Sequence, residues 1–414
     1  MRILLLNASE HKGGAARAAY RLHKGLRQAG LDSQLYVQDK VSDDETVIIK
    51  SQLTKLFGKL RPYFDSIPNY IFRKSSLLPF SNGYVSENIH SVINKVEPDI
   101  VHLHWINQGF ASIKTLKKIK KPIVWTLHDS WVFTGGCHIP MSCEKYTQRC
   151  GSCVLFKSGL SWDLSRIEWL RKKKHWKNLD FTFVTPSRWL AENLRTSSLF
   201  YDRDVSVIPN GIDLNVYKPI DKDLARKILQ LPLDNKILLF GAMFAASDEN
   251  KGYGLLLEAL DHLSEQIANY EKYTLLVFGA TGAQKSINGK IDMKYMGHLY
   301  DDVSLSLLYS AADLLVSPSK LENLSNVIME SLACGLPCVA FNAGGTPDLI
   351  DHMKNGYLAK PYDTKDLATG LKWVLDRDVS SNVLSTAARQ KAEDCYDIKK
   401  ISQKYLELYK EVRK

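Results

Sequence analysis

The sequence predicts an α/β fold made of two doubly wound, parallel-sheet domains. Three observations carry this. Short aliphatic strands alternate with helical patterns, the alternation restarts near residue 236, and the charge changes sign between the halves. Residues 1–200 hold 30 Lys+Arg against 16 Asp+Glu, a balance of +14, while residues 201–414 hold 25 against 29, a balance of −4. A length of 414 residues exceeds what one domain usually holds. Hydrophobic content of 45% and charged content of 24% exclude disordered and collagen-like classes.

The first series opens with a buried strand over Arg2–Asn7, a loop through Gly13 and Gly14, and a helix with Ala16, Ala19, Tyr20, His23 and Leu26 on related faces. Strand patterns follow at Gln34–Val37, Asp99–His104, Pro122–Leu127, Phe181–Thr185 and Val205–Ile208. The second series has strands at Lys236–Gly241, Tyr273–Gly279, Asp313–Ser317 and Pro337–Phe341, with helices between, the first over Gly254–Leu263. Pro209, Asn210-Gly211 and Pro219 supply turn chemistry at the join. The expected domains are 1–208 and 209–395, with a helix over 396–414 packing back towards the first.

No apolar run approaches the ~18–20 residues that cross a bilayer. The opening MRILLL turns polar too soon for a signal peptide, so a cytoplasmic location is expected. Seven cysteines cannot all pair. Cys137, Cys143, Cys150 and Cys153 crowd together and end in C-x2-C. In a reducing compartment that suggests a structural zinc, the alternative being unliganded or redox-labile thiols. Four cysteines would close the metal's shell and leave no catalytic position.

In open α/β sheets ligands lie beyond the carboxyl ends of strands. After Asp313–Ser317 comes SPSKLENLSNVIMESLACGLP, with Glu322 and Glu330 separated by seven residues. Ser325 is the expected N-cap of a helix from Asn326 to about Cys334, stopped by Gly335. Free N–H groups at that start suit an anion, and a neighbouring carboxylate suits sugar hydroxyls. This stretch, continued by PCVAFNAGGTPDLI, resembles the signature of family 4 retaining glycosyltransferases of GT-B fold. The Gly13-Gly14 loop, IPNGID, Lys251-Gly252 and NGYLAKPYDTKDLATGL agree in order. The resemblance implies two Rossmann-like domains facing across a cleft. It implies donor-sugar contacts from Glu322 with amides of Asn323, Leu324, Ser325 and Asn326, ribose contacts from Glu330, and a diphosphate-binding Lys251. A fixed ammonium and a helix start would stabilise the departing diphosphate with no catalytic metal. The family often has Arg after the glycine ending this domain's first strand, but here Gly241 is followed by Ala242-Met243. Lys320 and Arg188 are the candidates for the second cation.

In the first domain, Gly13 and Gly14 would let amides approach a phosphate or sugar. By the same resemblance His128, at the end of Pro122–Leu127, lies near the reacting centre, with Asp129 orienting its ring. Trp162, Trp169 and Trp176 recur every seven residues among Arg166, Arg171, Lys172, Lys173, Lys174 and Lys177. One reading lays this helix on an anionic membrane, helped by the aromatic and basic stretch 53–85. The other packs its tryptophans into the domain.

The resemblance thus implies transfer of a hexose-type sugar from a UDP- or GDP-sugar to a glycan or lipid-linked acceptor in surface-polysaccharide assembly, peripheral to the inner membrane face. The basic half suits an anionic acceptor or membrane, and no nucleic-acid motif accompanies it. The alternatives are a GT-B epimerase or phosphorylase, or a catalytically silent sugar-nucleotide-binding or membrane scaffold.

Overall fold

The computed structural model describes residues 1–414 except 51, 75–77, 158, 242–247, 269–271, 284, 300, 378–381 and 414, and side chains 52–59 and 285. The chain divides into Met1–Gly211 with Lys399–Lys414, and Ile212–Ile398.

The first unit holds a seven-stranded parallel sheet: β1 (Arg2–Ser9), β2 (Asp32–Asp39), β3 (Val47–Ile48), β4 (Ile100–Leu103), β5 (Ile123–Thr126), β6 (Phe181–Thr185) and β7 (Val205–Val207), in the order 3-2-1-4-5-6-7. β1 pairs on both edges and its Ile3, Leu4, Leu5 and Leu6 are fully buried, which explains its unbroken aliphatic run. The order reverses between β1 and β4, so the loops after these two strands flank a topological switch point. The helices are α1 (Gly14–Gln28), α2 (Gln52–Phe72), α3 (Ile89–Val96), α4 (Leu164–Trp176) and α5 (Arg188–Thr196).

The second unit has α6 (Lys222–Ile228), β8 (Lys236–Gly241), α7 (Tyr253–Gln266), β9 (Tyr273–Phe278), β10 (Lys285–Ile287), β11 (Ile291–Gly297), α8 (Asp302–Ala311), β12 (Leu314–Ser317), α9 (Asn326–Ala333), β13 (Cys338–Phe341), α10 (Thr346–Leu349), β14 (Gly356–Ala359), α11 (Thr364–Leu375) and α12 (Val383–Cys395). Its strand order is 10-11-9-8-12-13-14, with the reversal between β8 and β12 and β10 antiparallel at the edge. The segments following β8 and β12 carry Lys251 and Glu322.

The last helix, α13 (Ile398–Val412), packs Ile401, Tyr405, Leu408 and Tyr409 into one core with Ile3, Leu5, Leu22 and Leu26. Among the described residues no helix is long and apolar enough to cross a membrane.

Helix α4 corrects the membrane reading of the tryptophan repeat. Trp169 and Trp176 are buried in the core around Trp125, Trp131 and Phe181. Trp162 precedes the helix and is exposed. Lys172 is also buried: its ammonium donates to the carbonyls of Trp131 and Thr134 (3.0 Å to the latter) and lies 4.0 Å from the centre of the Trp131 ring. Two full turns separate Trp169 from Trp176, so both point inward, and packing takes the face that membrane binding would need.

Candidate functional site

On the second unit, the segments after β8 and β12 are tied together. Lys251 Nζ lies 2.5 Å from Glu322 Oε1, and both side chains stay about a quarter exposed (28% and 21%). Neighbouring Asn250, buried, fixes the register: its Nδ2 donates to Leu321 O (2.8 Å), its Oδ1 accepts from Leu321 N (3.2 Å), and its carbonyl accepts from Lys320 N (2.8 Å). Gly252 has φ +69°, and a Cβ there would fall 1.9 Å from Pro318 O, so only glycine permits this approach. The Glu322 carboxylate raises the Lys251 pKa and keeps the ammonium charged.

Ser325 caps α9, accepting from Ile328 N at 3.5 Å, and Gly335 follows its end with φ +73°. Asn323, Leu324, Ser325 and Asn326 thus form the approach to a helix start. Leu324 sends its side chain into the core, so only its backbone is left for a ligand. Glu330, inside α9, is buried and accepts from the Tyr309 hydroxyl at 2.8 Å. Lys320 is half-buried on this unit, while Arg188 is exposed at the start of α5 on the other. The Ala242-Met243 departure lies outside the described residues.

On the first unit, Gly13 (φ +94°, ψ 168°) caps α1 and Gly14 begins it. A cavity beyond β4 and β5 is lined by His104, Trp105, Asn107, His128 and Asp129, among others. His128 is half-buried, and its Nε2 lies 2.9 Å from His104 Nδ1. Asp129, the next residue, is held from several sides. Its Oδ2 takes His138 Nδ1 (2.6 Å) and Trp105 Nε1 (2.9 Å), and its Oδ1 accepts from Trp131 N (2.8 Å). His104 is the partner of the His128 ring at Nε2. Burial lowers the His128 pKa to about 4, so the ring is neutral at neutral pH.

A row of polar groups stands behind this pair. His102 Nδ1 meets the Tyr409 hydroxyl (2.6 Å) and its Nε2 meets Thr126 Oγ1 (2.8 Å), which also contacts the Tyr405 hydroxyl (2.8 Å). The His102 and His104 rings are 4.3 Å apart. The sequence reading missed Asn250, His102 and His104. The alternation His102-Leu103-His104 at a strand end could have shown the histidines, since positions i and i+2 share a sheet face.

The four clustered cysteines, Cys137, Cys143, Cys150 and Cys153, lie near one another on the first unit. All are free thiols, and among the described residues no three His, Cys, Asp or Glu side chains are grouped to hold a metal ion. Cys150 is buried and its Sγ accepts from Gly135 N at 3.1 Å. Burial pushes the Cys137 thiol up to about 12 and Cys150 to about 11, which favours the protonated form.

Residues 12–216 match the family described as Glycosyltransferase Family 4, and residues 221–391 match Glycosyl transferases group 1. The chain is 26% identical over 325 residues to sulfoquinovosyl transferase SQD2 of Arabidopsis thaliana, covering 75% of this chain and 56% of the relative. It is 25% identical over 368 residues to the putative colanic acid biosynthesis glycosyl transferase WcaC of Escherichia coli K12, covering 84% and 85%. The match thus spans about half of the plant relative and most of the bacterial one. Anabaena Alr3699/HepE, solved with UDP-glucose, superimposes with TM-score 0.63 at 20% identity, covering 99% of this chain and 100% of that one. The fold is GT-B, and the chain belongs to the family 4 glycosyltransferases.

Proposed function

We propose that this chain moves a hexose-type sugar from a UDP- or GDP-sugar to a glycan or lipid-linked acceptor in surface-polysaccharide assembly, with the anomeric configuration retained. The observation that carries the donor side is the Lys251–Glu322 pair, fixed by Asn250 beside the start of α9. Such a corner offers a diphosphate a charged ammonium and the positive end of a helix, and offers sugar hydroxyls a carboxylate. Glu330 lies eight positions further on for the ribose, and Lys320 or Arg188 would supply a second cation. Gly13, Gly14 and the partly exposed His128 would serve the acceptor and the reacting centre.

The likeness to an Anabaena protein solved with UDP-glucose favours a uridine donor, and the likeness to a putative colanic acid enzyme favours a polysaccharide product. The departing diphosphate carries the developing charge, and Lys251 with the α9 amides answers it without a catalytic metal. A thermal-shift screen against UDP, GDP, ADP and their sugars tests this, because a ligand that binds only the folded state raises the melting temperature by mass action. A shift with UDP or GDP that disappears in Lys251→Met is expected. No shift with any of them removes the reading.

A further inference from the structure

Helix α2 is inside out. Its inward face is polar: Asp65 and Asn69, four residues apart, are buried. Asp65 accepts from the backbone N–H groups of Gly83 (3.2 Å), Tyr84 (2.7 Å) and Val85 (3.0 Å), and Asn69 Nδ2 donates to Phe80 O (2.9 Å). Arg61 pairs with buried Glu87 at 2.8 Å. The outward face is apolar. Leu60, Tyr63, Phe64, Ile67, Tyr70 and Ile71 recur at three- and four-residue spacing, so they share one side, and all are exposed, Tyr70 at 73%. A helix shaped only by folding would carry the reverse pattern, since burying each such side chain is worth ~1.5–3 kcal/mol. A contiguous apolar surface of this kind marks an interaction site.

The loop tied to the end of α2 extends the character. Lys74 N donates to Leu155 O (2.9 Å) and Lys157 N to Phe72 O (3.1 Å), and this loop exposes Val154, Leu160 and Trp162. The charge around these groups has one sign. From Leu60 to Lys74 the sole acid is Asp65, which faces inward, and from Lys145 to Trp162 there is none. Lys74 and Lys157, both exposed, stand at the junction. Exposed Trp and Tyr rings with basic neighbours suit an anionic lipid interface. A second copy would set these like charges against each other, so self-association fits the surface less well.

We propose that the outward face of α2, with Val154, Leu160 and Trp162, seats the chain on an anionic membrane, the aromatic side chains entering the headgroup layer and Lys74 and Lys157 meeting the lipid phosphates. This does not rest on the donor site, and its test uses no sugar nucleotide. The full chain is floated with vesicles of phosphatidylcholine alone and with vesicles that also contain phosphatidylglycerol. Binding to the anionic vesicles alone is expected. It should fall about tenfold or more in Tyr63→Ser/Phe64→Ser/Tyr70→Ser, because partitioning follows buried apolar area. It should fall similarly in Lys74→Glu/Lys157→Glu at low salt, where charge attraction is least screened. Both variants should melt with the wild type, since the altered side chains are exposed. Equal binding to both vesicle types, undiminished binding by the serine variant, or a lowered melting temperature in that variant would overturn the proposal. So would a vesicle-free dimer that the serine variant abolishes, which would give the face to a second copy.

Discussion

Lys251 Nζ lies 2.5 Å from Glu322 Oε1, joining the segments that follow two neighbouring strands at the point where the sheet order reverses. The pair stays partly open, so the ammonium is held charged and still reachable. In the proposed function an arriving diphosphate would meet a cation already in place, with little reorganisation to perform.

Lys251→Met should weaken nucleotide binding about ten- to a hundredfold, because hydrogen bonds to charged groups contribute ~1.5–3 kcal/mol. Titration with the nucleoside diphosphate selected by thermal shift measures this. Glu322→Gln should instead spare the free nucleotide and depress turnover of the nucleotide sugar, since the proposed function gives Glu322 the sugar hydroxyls. Equal nucleotide affinity in Lys251→Met and wild type would remove Lys251 from the site.

Asn250 holds Leu321 by both edges of its amide. Asn250→Ala should cost about 1–2 kcal/mol of stability, since it leaves buried peptide groups unpaired. It should also lower kcat/KM for donor through misplaced Glu322, while leaving acceptor KM unchanged. A variant that only lowers the melting temperature, with kcat/KM intact, would reduce Asn250 to a structural role.

Much of this was legible because the signals are local. The strands are aliphatic runs with both faces covered, and Ser325 and Gly335 bracket α9 by their own chemistry. What escaped depends on the partner. Nothing near Asn250 in sequence announces Leu321, 71 residues away. Asp129 stands next to His128, but its oxygens turn to His138 and Trp105. β10 is three residues at the sheet edge, β14 is four residues led by Gly356, and β11 (IDMKYMG) mixes polar with apolar residues, so none shows the apolar run that marked β1. The tryptophan repeat left core and membrane both open, because periodicity shows which residues align and not what they meet; the core took Trp169 and Trp176, and Trp162 stays exposed ahead of the helix.

Gly252→Ala tests the close approach behind the lysine. With φ +69° and Pro318 O 1.9 Å from the new Cβ, the loop must shift. A cost of about 1–3 kcal/mol is expected from strain of this kind, read by chemical denaturation. Nucleotide affinity should fall with it, because Lys251 is the adjacent residue. A variant as stable as wild type would show that the turn relaxes freely.

Lys172 separates folding from surface charge. Its ammonium is buried over Trp131, and Glu168 beside it pairs with Arg171. Lys172→Ala removes packing and leaves two carbonyls without their donor, so a loss of about 2–4 kcal/mol is expected. Lys174→Ala, on the exposed side of the same helix, should stay within about 0.5 kcal/mol. Comparable denaturation midpoints for the two would contradict the buried placement.

Stability should fall on mild acidification, and the buried histidines give the sign. Burial lowers His102 from 6.5 to about 3 and His128 and His23 to about 4, with His104 well below its usual value. Between the unfolded and folded values the unfolded chain takes up protons that the folded chain refuses. Stability is therefore complete above the unfolded value and is lost as pH falls through this window. Glu168 opposes the trend, since burial raises its carboxyl to about 7 and its protonation favours the folded state below that value. Four histidines outweigh one carboxyl, so lowering the pH from about 7 to about 5 should cost a few kcal/mol in denaturant titrations. His102→Asn should flatten the slope by about one proton's worth, roughly 1.4 kcal/mol per pH unit. A slope unchanged by that substitution would mean that His102 takes up its proton in the folded state, and the link from Tyr409 through His102 to Thr126 would not be closed to solvent.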